Sequence, residues 1–307
     1  MSELISSYRL LKPSIVAIVQ RVSTHADLPE IIGTGFIVDG DNGLIMTNHH
    51  VVDAMRRLPR VKGSDDWPAS ILIIKETDRG LITLYSDIKA AMHFELTELS
   101  QYTSSQPDMA LLRTDLKNLP RATLGDSHSL AEGQEIATAG FPLGDLILRD
   151  GTTISQLGPT LKHGVISALL PFPCESPHAI LLDIPSQGGQ SGSPIFDPKD
   201  GTVIGLLFAG VEEPRRAISV AQASGPTVMQ YRTPTNLTYA VPVSYLRAAL
   251  DKAHDAPELK THLAGKLKDY NKFCTDAYKE LGKGVKGSRP KPETVEASQV
   301  EHPGTTI

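Results

Sequence analysis

Cysteine is scarce: Cys174 and Cys274 are the two that occur among 307 residues. Two thiols cannot build a disulfide framework, and their separation is not that of a metal-ligand motif. Long apolar runs are missing as well. No stretch approaches the ~18 residues that a membrane-spanning helix needs, so no membrane association is expected. The opening segment MSELISSYRLLKPSIVAIVQ has no basic region leading into an unbroken apolar one, because Lys12 and Pro13 interrupt it. The expectation is a soluble, cytoplasmic protein without a secretory leader. Basic residues are not in excess: 30 Lys and Arg stand against 35 Asp and Glu, a formal charge of −5. A dedicated nucleic-acid binder must neutralise phosphates, so that class is set aside. No P-loop occurs, and neither His-Glu-x-x-His nor Gly-x-Ser-x-Gly is found, which removes support for nucleotide binding, metalloproteases and α/β-hydrolases. No cofactor is expected.

What is present is a series of short apolar segments, with 40% apolar residues to fill a core. Strands are expected at 14–20, 32–39, 43–48, 70–76, 80–85 and 109–114. After a break near Leu119–Pro120 they resume at 134–140, 163–169, 179–184, 193–196, 201–209 and 237–241. Each is rich in Ile, Val, Leu or Thr and is bounded by Gly, Pro, Asp or Asn. Helical periodicity is nearly absent before Val243, so the expectation is an all-β sandwich or barrel protein. From Val243 the pattern changes. VSYLRAALDKAH puts Leu246, Ala249 and Leu250 on one helical face. A second helix over 257–281 carries Leu259, Leu263, Leu267, Tyr270, Cys274, Ala277 and Leu281 at steps of three and four. Gly282 suits its end. That stripe is expected to pack on its own second barrel, or to bind another subunit or an activating partner. The remainder has almost no bulky apolar residues and reads as a disordered tail over 283–307.

Three segments carry chemistry. Leu44–Asp53 reads as the second strand of a hairpin ending on a histidine, which alone is most simply a structural histidine. Pro107-Asp-Met-Ala-Leu-Leu brings an acid into an apolar strand, which alone is a strand-edge Asp. Ser186-Gln-Gly-Gly-Gln-Ser-Gly-Ser-Pro has glycines on both sides of a serine, so successive N–H groups can converge beside the hydroxyl. Read together, His, Asp and Ser are what acyl transfer needs. A serine hydroxyl is a poor nucleophile unless a base takes its proton, imidazole suits that task at neutral pH, and a carboxylate fixes the imidazole.

Here the chain resembles trypsin-like, chymotrypsin-fold serine endopeptidases of the HtrA/Deg-like bacterial type. The matching stretches are GTGFIVD, TNHHVVDA, PDMALLRTD, GFPLG, HGVISAL, GGQSGSPIFD, VIGLLFAG and TYAVPVSYLRAAL, in the family's order over roughly 10–252. The resemblance implies two six-stranded antiparallel barrels, one over about 10–120 and one over about 121–242. A closing helix over 243–254 would complete a protease domain spanning 1–255, with the amphipathic helix at 256–282. It puts the base at His50, the orienting acid at Asp108 and the nucleophile at Ser191, with oxyanion donors in the N–H groups of Gly189 and Ser191. His49 is the neighbouring candidate base, Asp87 and Asp115 the neighbouring acids, and Ser186 and Ser193 the neighbouring serines. The specificity pocket would have Pro185 at its base and Phe208-Ala209-Gly210 as one wall. With no charge at Pro185, small or medium apolar substrate side chains are the expectation, in a protein or peptide substrate.

The departures matter too. Secreted trypsin-like enzymes carry an Asp before the nucleophile that pairs with a newly cut N-terminus; here that position is Gln190, so activation by that cleavage is not expected. HtrA/Deg relatives usually carry a PDZ module, and the ~55 residues after Lys252 are too few for one. The stretches between Asp53 and Asp108, and between Gly144 and His163, exceed what a minimal barrel needs. A catalytically silent, peptide-binding relative is the alternative reading.

Overall fold

The computed structural model describes residues 3–21, 29–60, 66–77, 80–96, 106–142, 158–171, 177–221, 225–256 and 267–284. Strands β1 (Ile15–Gln20), β2 (Ile31–Asp39), β3 (Leu44–Thr47), β4 (Ala69–Thr77), β5 (Gly80–Met92) and β6 (Ala110–Thr114) close into an antiparallel barrel. Its order is β1-β2-β3-β6-β5-β4, with β4 pairing back on β1. After the two-residue β7 (Leu116–Lys117) the chain crosses to a second closed barrel. That one is built from β8 (Glu135–Gly140), β9 (Thr160–Leu170), β10 (Ala179–Asp183), β11 (Pro194–Phe196), β12 (Val203–Ala221) and β13 (Gly225–Pro242). Closure leaves no unpaired edge around either barrel. These are the two six-stranded barrels that the sequence resemblance implied.

Why the strands read as continuous apolar runs is clear in β1. Ile15, Ala17 and Val19 face a cluster shared by both barrels, which also holds Ala137, Ala139, Phe141, Leu206 and Val241. Val16 and Ile18 face the interior of the first barrel, beside Ile37, Ile45, Ile71 and Ile73. A strand with a core on each side has no polar face to alternate with. The second barrel has its own interior of Ile136, Ile166, Ile180, Leu182, Ile195 and Ile204. Helix α3 (Val243–Asp255) lays Val243, Leu246, Ala249 and Ala253 over the shared cluster and so clamps the two barrels together.

Four expectations need correction. Two helices precede Val243: α1 (Glu3–Leu11) and α2 (His49–Arg57). In α1 the apolar Ile5 and Leu10 are exposed, so no apolar stripe marked it. In α2 the β-branched pair Val51-Val52 weakens the helical signal of a nine-residue segment. Second, strands β5, β12 and β13 run well beyond the predicted 80–85, 201–209 and 237–241. The extension of β12 through Glu212-Glu213-Pro214-Arg215-Arg216 is exposed and carries no apolar signal. Third, the predicted helix over 257–281 does not begin where expected. Residues 257–266 lie outside the described ones, and β14 (Lys268–Asp269) pairs in parallel with β7 before α4 (Tyr270–Gly284) starts. Asp269 caps that helix, accepting the N–H of Lys272 at 2.9 Å. Helix α4 runs past Gly282 and takes in 283–284, and the rest of the predicted tail lies outside the described residues. Fourth, α4 docks on the first barrel and not on the second. Tyr270 and Cys274 are buried in the cluster that also holds Leu116, Leu119 and Ile73, so these two residues of the stripe are covered by their own chain.

Candidate active site

The two barrels meet along a seam, and the three candidate chemical groups approach it from different elements. β3 ends at Thr47, and Asn48 is the N-cap position that turns the chain into α2, so His50 sits in a helical first turn and not at a strand end. Asp108 lies just before β6 (Ala110–Thr114), next to β3 in the barrel. Asn48 Nδ2 donates to the Asp108 carbonyl at 2.7 Å and fixes the backbone between them. The Asp108 carboxylate then receives two bonds from one residue: the His50 N–H at 3.0 Å on Oδ1, and the ring Nδ1 at 2.5 Å on Oδ2. Burial pushes the Asp108 carboxyl up, but the hydrogen bond and charge of His50, with the N–H groups of His50 and His49, outweigh it and hold it below the usual carboxylate range.

The neighbouring candidates are engaged elsewhere. The His49 ring lies 4.3 Å from that of His93, and its Nε2 is 3.5 Å from Asp53. Asp87 pairs with Arg21 and Lys89, and Asp115 with Ser86 and Lys268. Ser193 is fully buried against Gly140, where a side chain would meet its Oγ at 2.0 Å. Ser186 Oγ packs in the same way against Gly210.

Ser191 enters from the second barrel, in the turn between β10 and β11. Its carbonyl accepts the N–H of Thr34 at 2.8 Å, a bond across the seam. Gly33 lies between the two halves: a Cβ there would stand 2.9 Å from the Val51 methyls and 3.2 Å from the Ser191 carbonyl. The absence of a side chain at Gly33 thus lets the His50 helix and the Ser191 turn close on each other. Gly192 does the same job one residue on, with φ +88 and the Thr34 carbonyl 2.0 Å from where a Cβ would be. The structure therefore joins His50 to Asp108 by hydrogen bonds and brings Ser191 to the same seam. Among the described residues Ser191 Oγ makes no hydrogen bond, to His50 or to any other group.

The turn preceding Ser191 is ordered by its own bonds. The N–H of Gln190 donates to the Gln187 carbonyl at 3.1 Å, that of Gly192 to Leu207 at 2.9 Å and that of Ser193 to Gln190 at 3.0 Å. The N–H groups of Gly189 and Ser191 have no acceptor among the described residues. Gly189 has φ +87, and Thr34 Oγ1 holds its carbonyl at 2.8 Å. Near this turn lie the predicted pocket residues. Phe208 and Ala209 are half-buried, Pro185 and Gly210 are exposed, and the Phe208 ring stacks on Tyr239 with centroids 6.0 Å apart. Lys162, Thr34 and Asn48 were not singled out from the sequence. A lone Lys in a strand and a Thr or Asn at a strand end carry no signal until the fold brings the barrels together. Among the described residues no group of three or more His, Cys, Asp and Glu is placed to hold a metal ion.

Residues 33–206 match the family described as the trypsin-like peptidase domain. Among curated proteins the chain is similar to a "Probable periplasmic serine endoprotease DegP-like" of Halomonas elongata, 34% identical over 59% of this chain and 30% of that one. A protein of the same name from Pseudomonas putida is 31% identical over 57% of this chain and 28% of that one. The matched region thus spans less than a third of those relatives' length. Among solved structures it is similar to the HtrA-type protease AlgW with tripeptide, at 20% identity and TM-score 0.48, over 81% of this chain and 62% of that one. The relatives' names correct one expectation. The opening segment and the few cysteines pointed to the cytoplasm, but the relatives are named periplasmic. Few cysteines suit either compartment, so composition carried no information on this point.

Proposed function

The chain belongs to the trypsin-like peptidase domain family, and from that premise we propose that it is a serine endopeptidase acting through His50, Asp108 and Ser191. The observation that carries the reading is the double hydrogen bond of His50 to Asp108. A proton on Nδ1, held by the carboxylate, leaves Nε2 as the acceptor, which is the tautomer a general base needs. In this scheme Ser191 Oγ attacks the scissile carbonyl as its proton passes to His50 Nε2. Asp108 stabilises the resulting imidazolium. The N–H groups of Gly189 and Ser191 donate to the oxyanion, a contribution of about 3–4 kcal/mol per donor. Collapse expels the amine, which takes the proton from His50, and leaves an acyl group on Ser191. Water then attacks that ester with His50 again as base, and the acid product leaves.

The substrate is an extended or unfolded polypeptide. Pro185, Phe208, Ala209 and Gly210 form the pocket for the side chain preceding the cleaved bond, and small or medium apolar groups fit its uncharged base. We assign the activity to the periplasm, in line with the names of the curated relatives. The test is hydrolysis of an unfolded protein such as reduced casein. The wild type should degrade it, and Ser191→Ala and His50→Ala should not. Equal degradation by Ser191→Ala would overturn the assignment, and binding of peptide without any turnover in the wild type would favour the silent, peptide-binding alternative.

A further inference from the structure

Lys162 has no part in the scheme above, yet its ammonium touches both ends of the turn that carries Ser191. Nζ donates to the Pro185 carbonyl at 2.8 Å and to Gln190 Oε1 at 3.0 Å. Gln190 is fully buried, and the same Oε1 also accepts the N–H of Gln187 at 3.0 Å. The backbone bond from Gln190 to the Gln187 carbonyl closes the turn a second time. One cation and one buried amide therefore tie 185, 187 and 190 together, around the two residues whose N–H groups are left without acceptors.

The pairing is a costly one. Burial of the Lys162 ammonium lowers its pKa, and a neutral amide offsets that burial less well than a carboxylate would. Gln190 Nε2 is buried with no hydrogen-bond partner among the described residues, another cost. An apolar side chain at each position would avoid both. What the pair does supply is directional: Oε1 must face Lys162 and the Gln187 N–H, and that fixes the backbone on which Gly189 and Ser191 sit.

We propose that Lys162 is a positioning residue, holding the 185–191 turn in the conformation in which the N–H groups of Gly189 and Ser191 converge on the oxyanion. The inference rests on the endopeptidase reading. It also gives a physical role to Gln190, which cannot hold a new N-terminal ammonium as an Asp would. Here the cation comes from β9 of the same barrel, so the turn is set as soon as the barrel folds.

The test is the kinetics of labelling by a fluorophosphonate, with maximal rate and half-saturating concentration measured separately and thermal melts run in parallel. A positioning role acts on the transition state, so Lys162→Met should lower the maximal rate tenfold or more, with half-saturation changed less than twofold. Gln190→Leu, which fills the same buried space without the acceptor, should do the same and remains readable if Lys162→Met folds poorly. Gln190→Glu, which gives the ammonium a carboxylate, should stay within threefold of wild type. Unchanged maximal rates in Lys162→Met and Gln190→Leu, or loss in Gln190→Glu equal to that in Gln190→Leu, would overturn the positioning role alone. A wild type that never labels at Ser191 would overturn the endopeptidase reading, and this inference with it.

Discussion

Asp108 receives both hydrogen bonds that define the orientation of His50, so its replacement separates geometry from chemistry. Asp108→Asn keeps the shape but presents an amide to Nδ1, which favours the wrong tautomer. The turnover number should fall by about 10⁴ while substrate half-saturation changes little. The same carboxyl has a stability signature. Its pKa is held below the ordinary value in the folded chain, so its contribution is fully present above the unfolded pKa of about 3.9 and is lost as pH falls through the lower folded value. The advantage in melting temperature of wild type over Asp108→Asn should therefore be present at pH 5 and close as pH falls below about 4. A gap that persists at pH 2 would mean that the carboxylate–imidazole pair is not its source. The choice of His50 over His49 was legible in sequence from the Val51-Val52 pair that follows it. The reason for it, the His49 ring turned toward His93, required the helix that the sequence did not reveal.

At the scale of elements, strands that serve two cores announce themselves. Ile15–Gln20, Ala110–Thr114 and Glu135–Gly140 lie within a residue of the ends read from the sequence, because burial on both faces leaves them rich in Ile, Val, Leu and Ala. Elements held by polar or long-range contacts were less legible. Helix α1 is tied down by Ser7 Oγ, which donates to the Pro198 carbonyl at 2.8 Å, a partner nearly two hundred residues away. The start of α4 is set by Lys268, whose N–H and Nζ both reach Asp115 at 2.8 Å, and nothing local in Leu267–Asp269 signals that strand. The hydrogen bond and charge of Asp115 hold the Lys268 ammonium above its ordinary range. Below the unfolded pKa of about 10.4 that link is intact, and it is lost as pH rises through the folded value. The docked helix covers Cys274, which is 4% exposed. Tyr270→Ala should cost about 3 kcal/mol and raise alkylation of Cys274, followed by peptide mapping, at neutral pH. Equal protection of Cys274 in wild type and Tyr270→Ala would show that α4 is not held by this contact.

For the whole molecule, the proposed triad draws on both barrels, with His50 and Asp108 on the first and Ser191 on the second. Helix α3 buries Val243, Leu246, Ala249 and Ala253 in the cluster shared by both barrels, and Thr34 and Gly33 bring the Ser191 turn against the first barrel. Because the Ser191 turn is braced from within, by Lys162 and Gln190, activity on an unfolded substrate should not require a cut near the N-terminus. Activity that appears only after such a cut, followed by intact mass and turnover on the same samples, would contradict this. The barrels, and the segments that carry the proposed triad, were readable because glycines and apolar runs leave local marks. The compartment and the bracing were not, since one depends on nothing that composition records and the other on a lysine and a glutamine nearly thirty residues apart. The central claim is that Ser191 is a nucleophile activated by His50. Its most direct test is mass-spectrometric mapping of the adduct left by a fluorophosphonate on the wild type and on His50→Ala. The phosphonyl group should be found on Ser191 in the wild type, with labelling of His50→Ala slowed by a hundredfold or more. An adduct on another residue, or equal labelling of the two proteins, would contradict it.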